Sequence, residues 1–63
     1  MNWLAINLER FGITQQELSS MTRISQSRIS RLVQSRNDEE LLSKMYAREK
    51  IALKELFEEL DSI

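Results

Sequence analysis

The chain contains no cysteine, no histidine and no proline, and only one glycine. Without cysteine there is neither a disulfide framework nor a thiolate metal site, which suits a reducing compartment. Without histidine the commonest general base and metal ligand is missing. The absence of proline leaves little to interrupt helices, and the β-branched residues are scattered rather than grouped as strands require. No apolar run is long enough to span a bilayer, and the N-terminus lacks the basic stretch and apolar run of a signal peptide. A soluble, cytoplasmic protein is expected. Its 63 residues allow one domain, 1–63, which buries only about 60% of its unfolded surface and would gain from self-association.

What the chain does contain is an uneven distribution of charge. Residues 1–36 hold five arginines (Arg10, Arg23, Arg28, Arg31 and Arg36) against Glu9 and Glu17. Residues 37–63 hold Lys44, Arg48, Lys50 and Lys54 against eight carboxylates. Every cation before residue 44 is arginine, whose planar fork matches phosphate and the guanine edge bidentately. An arginine cluster can equally be a solvated face, so its placement on the fold decides its meaning.

Leu4, Leu8 and Phe11 share one helical face, which predicts a first helix from about residue 2 to Phe11, closed by Gly12 in the left-handed C′ position. Two similar helix starts follow, eleven residues apart. In Ile13-Thr14-Gln15-Gln16-Glu17-Leu18, Thr14 is the N-cap and Glu17 completes a capping box. In Ile24-Ser25-Gln26-Ser27-Arg28-Ile29, Ser25 is the cap and Arg28 replaces the acid. A cation there opposes the helix dipole by about 0.3–1 kcal/mol, which makes sense if a polyanion is to arrive. A second helix is expected over about Gln15–Thr22, a turn at Thr22-Arg23-Ile24, and a third helix from Gln26 to about Gln34. Ile29, Leu32 and Val33 would anchor that third helix. Ser27 and Arg31 lie opposite Ile29, flanked by Arg28, Ser30 and Gln34.

Ser35-Arg36-Asn37 is a short polar connection, and Asn37 with Glu40 makes another helix start. Asp38-Glu39-Glu40 reads as first-turn capping rather than as a metal site, because consecutive helical residues point in different directions. Residues 38–61 form one helix or two. Arg48-Glu49-Lys50 interrupts the apolar pattern and predicts a bend near there. Leu53 and Leu56 are expected in the core, which leaves Phe57, Leu60 and Ile63 for a dimer interface. Trp3 and Tyr46 fit a core edge or an interface equally well.

The segment ITQQELSSMTRISQSRISRLVQS, Ile13–Ser35, resembles the helix-turn-helix of the lambda-repressor-like family, the phage repressor and Cro group. That family typically reads Leu-Thr-Gln-Glu-Glu-Leu-Ala, a glycine-containing turn, then Val-Ser-Gln-Ser-Thr-Ile-Ser-Arg-Leu. The match needs no gaps, and the tail IALKELFEEL at 51–60 is similar to the family's fifth helix. The resemblance implies an all-α bundle of four or five short helices with the third helix in the DNA major groove. It implies base contacts from Gln26, Ser27, Arg28 and Arg31, and phosphate contacts from Gln15, Ser25, Ser30 and Asn37; Arg23, where this chain departs from the family, is a further candidate for phosphate. In the family, the counterpart of Gln15 also buttresses that of Gln26. Glutamine pairs bidentately with adenine and arginine with guanine, each worth about 1–3 kcal/mol of discrimination. The chain departs from the pattern where Arg23 replaces the turn glycine, Thr22 a core leucine and Lys50 another glycine, while Met21 falls on a position that is usually solvated.

These features predict a sequence-specific regulator of transcription, acting as a homodimer on double-stranded DNA. No catalytic residue, cofactor or metal is expected. The alternative is a protein-interaction module of the same fold, an antirepressor or antitoxin component, working through Met21 or the acidic C-terminal half. An enzyme is the least favoured reading, since neither His nor Cys is present to supply one.

Overall fold

Asn2 is the first residue with a structural task. Its backbone is extended, and its Oδ1 accepts the Ala5 N–H at 2.9 Å, which caps α1 (Trp3–Phe11). The computed structural model covers Met1–Ile63 and continues with α2 (Gln15–Thr22), α3 (Gln26–Val33), α4 (Asp38–Lys44) and α5 (Ala47–Asp61). The all-α bundle therefore has five helices, and none is long and apolar enough to cross a membrane.

The helix starts follow the capping chemistry of the sequence. Thr14 Oγ1 accepts the Glu17 N–H at 3.0 Å, and Glu17 returns a carboxylate oxygen to the Thr14 N–H at 2.9 Å. The bond from the Thr14 backbone N–H, with the Thr14 hydroxyl beside it, holds the Glu17 carboxyl below the usual glutamate range. Ser25 Oγ accepts the Arg28 N–H and Asn37 Oδ1 the Glu40 N–H, starting α3 and α4. Gly12 ends α1 at φ +64°, the left-handed conformation a C′ residue needs. Arg23 ends α2 at φ +62° and is the one non-glycine residue of positive φ.

Nine apolar side chains drawn from all five helices and the α2–α3 turn fill the core: Leu4, Leu8, Leu18, Ile24, Ile29, Leu32, Leu41, Leu53 and Phe57. α3 lies centrally, packed against α1, α2 and α4, and α2 also meets α5. Ile29 and Leu32 are fully buried, so α3 is fixed by one face and leaves the opposite face outward. Thr22 is half-buried, and its Oγ1 donates to Leu18 O at 2.8 Å. Ser19 Oγ donates to Ile24 O at 2.6 Å and closes the turn from the other side. Met21 is half exposed, as its position suggested.

Two expectations are corrected. The chain breaks at Met45–Tyr46, both extended, rather than near residues 48–50. Arg48-Glu49-Lys50 is polar because it forms the first turn of α5, where Glu49 Oε1 accepts the Tyr46 N–H at 2.9 Å. Phe57 belongs to the core rather than to a dimer interface. It is 4% exposed, edge-on to Trp3 at 5.4 Å between ring centroids and stacked on Phe11 at 5.8 Å. Leu56 and Leu60 are half-buried against the same core, and Ile63 is fully exposed. The reason is register: Phe57 follows Leu53 by four residues, and the two aromatic rings of α1 enclose it.

Candidate nucleic-acid interface

The ends of α3 are held by elements distant in sequence. At its C-terminal end the Asn2 side-chain nitrogen, fully buried, donates to Leu32 O, Val33 O and Ser35 O at 2.8–3.1 Å. Carbonyls at a helix end have no partner within the helix, so this single amide answers a general need of the fold. At the N-terminal end the contact is with α5. Arg28 Nε donates to Glu49 Oε2 at 2.8 Å and its Nη2 to Glu49 Oε1 at 3.0 Å; Nη2 also reaches Lys44 O. The guanidinium lies 4.6 Å from the Tyr46 ring centroid.

This geometry changes the meaning of Arg28. The anion that a cation at the third position of α3 requires is the chain's own Glu49, whose side chain is 5% exposed. Hydrogen bonds from Arg28 hold the Glu49 carboxyl below the glutamate range, outweighing the burial that raises it. The same bonds push the Arg28 guanidinium further toward its charged form. Arg28 is therefore withdrawn from the free base-reading residues: its side chain fastens α3 to α5.

The rest of the outward face is open. Gln26, Ser27 and Arg31 of α3 and Gln34 just past its end are exposed, and Ser30 is half-buried. Arg31 has no carboxylate partner, and neither does Arg23 in the preceding turn. The other arginines of residues 1–36 all have one: Arg10 pairs with Asp61, Arg28 with Glu49 and Arg36 with Glu40. An exposed guanidinium without an internal anion keeps its full capacity for an external one. Glu40 holds both Arg36 and Lys44, and these contacts lower its carboxyl to about 2.

The remaining candidates fall into two groups. Gln15 is half-buried at the start of α2, and no hydrogen bond joins it to Gln26. Ser25 and Asn37 are exposed, but each already has a side-chain oxygen in a helix cap. Ser25 Oγ also meets Ser27 Oγ at 3.4 Å, while Asn37 keeps its amide nitrogen for an external acceptor. Ser30 Oγ meets the Gln34 amide at 3.3 Å.

The sequence assigned no role at this site to two of its residues, Asn2 and Glu49. Asn2 was hidden because its partners lie thirty residues away. Glu49 was legible in principle, since an acid three residues after Tyr46 is a capping signal once a helix start is placed there. The acids Asp38, Glu39 and Glu40 do not converge: Asp38 accepts the Trp3 N–H, and Glu40 faces its two cations. No group of three or more potential metal ligands comes together. The chain matches no protein-family model, no curated protein and no solved structure.

Proposed function

We propose that this protein is a sequence-specific, double-stranded DNA-binding regulator of transcription, of the lambda-repressor-like kind, working in the bacterial cytoplasm. One observation carries the reading. The outward face of α3 bears Gln26, Ser27 and Arg31, with Gln34 just past its end, all exposed, and Arg31 is unpaired in a chain where most arginines of the first half are internally neutralised. Gln26 suits adenine and Arg31 suits guanine; Ser27 fits either base. Arg23, Gln15, Ser25, Ser30 and Asn37 are the candidates for phosphate.

An eight-residue helix is about 12 Å long and spans only three or four base pairs. Useful affinity then asks for two copies on a two-fold site, with α3 helices about 34 Å apart along the duplex. A second copy would cover exposed apolar side chains of the C-terminal half, Leu42, Ile51 and Ile63. Selection of bound duplexes from a random library tests the reading. It predicts an enriched two-fold motif and an affinity that falls steeply with salt. Absence of duplex binding at low salt contradicts it.

A second reading has one observation in its favour. A groove of about 370 Å³ between α1, α4 and α5 is lined by Trp3, Leu42 and Met45 together with charged residues of both signs. A protein-binding module would use that groove and would show no DNA binding.

A further inference from the structure

A concavity of about 510 Å³ beside the N-terminal end of α3 brings together Arg23 and Ser25 of the α2–α3 turn, Arg28, and Tyr46, Arg48 and Glu49 of the α5 start. Three guanidinium groups face one carboxylate, and that carboxylate is bound bidentately by Arg28. Arg23 and Arg48 are exposed and have no carboxylate partner. Arg48 occupies the second position of α5, where a cation opposes the helix dipole just as Arg28 does in α3. Arg28 is hydrogen-bonded to the Glu49 carboxylate, which answers this opposition, whereas Arg48 makes no hydrogen bond or salt bridge to it. The Tyr46 ring borders both guanidinium groups, at 4.6 Å from Arg28 and 6.0 Å from Arg48.

We infer that Arg48, with Arg23, seats a backbone phosphate of the DNA strand flanking the groove that α3 enters. The inference rests on the DNA-binding reading and adds to it a contact from α5, outside the helix-turn-helix segment. The placement follows from docking geometry. The N-terminal residues of a recognition helix point at base edges, so cations beside that end lie against the wall of the groove, where phosphates stand. The Arg28–Glu49 pair then has a positioning role, since it fixes the start of α5, and with it Arg48, relative to α3.

Arg48→Ala is the informative variant, because the side chain is exposed and its removal relieves an unfavourable helix-end charge. Its thermal stability should equal or exceed that of the parent. Affinity for the selected duplex and for random duplex should fall alike, by about 3–10-fold at fixed salt, with the selected sequence unchanged. The slope of log affinity against log salt should become shallower by about 0.9. Arg48→Lys should recover most of the loss, and Arg23→Gly, which suits the left-handed backbone, should reproduce it. Unchanged affinity and slope in Arg48→Ala, beside a loss in Arg31→Ala, overturns this inference and leaves the DNA-binding reading standing. A loss confined to the selected sequence also overturns it. So does saturable binding of inorganic phosphate that Arg48→Ala removes while DNA affinity stays the same. A parent protein that binds no duplex overturns both readings together.

Discussion

Arg28 and Glu49 show how one side chain's environment reverses its role. From local sequence, a cation at the third position of a helix is an electrostatic mismatch that points outward to a polyanion. In the folded chain the mismatch is answered from within, by a carboxylate that is nearly buried and accepts two hydrogen bonds from the guanidinium. Glu49→Gln removes the charge and should cost about 1.5–3 kcal/mol, the range for hydrogen bonds to charged groups. The pH dependence has a definite sign. Glu49 and Glu40 both titrate below the ordinary glutamate value of 4.5, Glu40 at about 2. Their stabilisation is present above pH 4.5 and is lost as pH falls through the folded values. Chemical denaturation between pH 7 and pH 2 should therefore show a falling midpoint, with a shallower fall in Glu49→Gln. A variant as stable as the parent at pH 7, with the same acid profile, contradicts the role given to the pair.

Among the helices, those whose starts follow side-chain capping were legible in the sequence. Thr14, Ser25 and Asn37 lie at the caps the sequence predicts, and Gly12 ends α1 as expected. Capping depends on residues three apart, so it can be read without knowing the fold. The start of α5 escaped this rule because Tyr46 offers no short side-chain oxygen, and its charged first turn resembled a bend. Core membership at Phe57 was also hidden, since it depends on Trp3 and Phe11 arriving from α1. Asn2 joins α1 to α3, capping α1 and binding three carbonyls at the end of α3. Asn2→Ala loses both functions and should destabilise by about 2–4 kcal/mol, more than an ordinary cap at about 1 kcal/mol. Thermal unfolding checks this. A loss no larger than that of Asn37→Ala would mean that the carbonyl contacts contribute little.

For the whole molecule, ion pairing offsets much of the charge asymmetry seen in sequence. Arg10, Arg28 and Arg36 are each paired with a carboxylate of the C-terminal half, so the unpaired arginines of the first half are Arg23 and Arg31. Those pairs hold α1 and α3 to α5, and the connection before α4 to α4, across a molecule only 29 Å in its longest dimension. What remains uncommitted lies on or beside the outward face of α3. The direct test is the affinity of the parent and of Arg31→Ala for a selected duplex and for random duplex at one salt concentration. The account predicts that Arg31→Ala loses about 1–3 kcal/mol on the selected duplex, little on random duplex, and its preference at one base position. Equal weakening on both would make Arg31 a phosphate contact, and undiminished specific binding would contradict the assignment of this face to base reading.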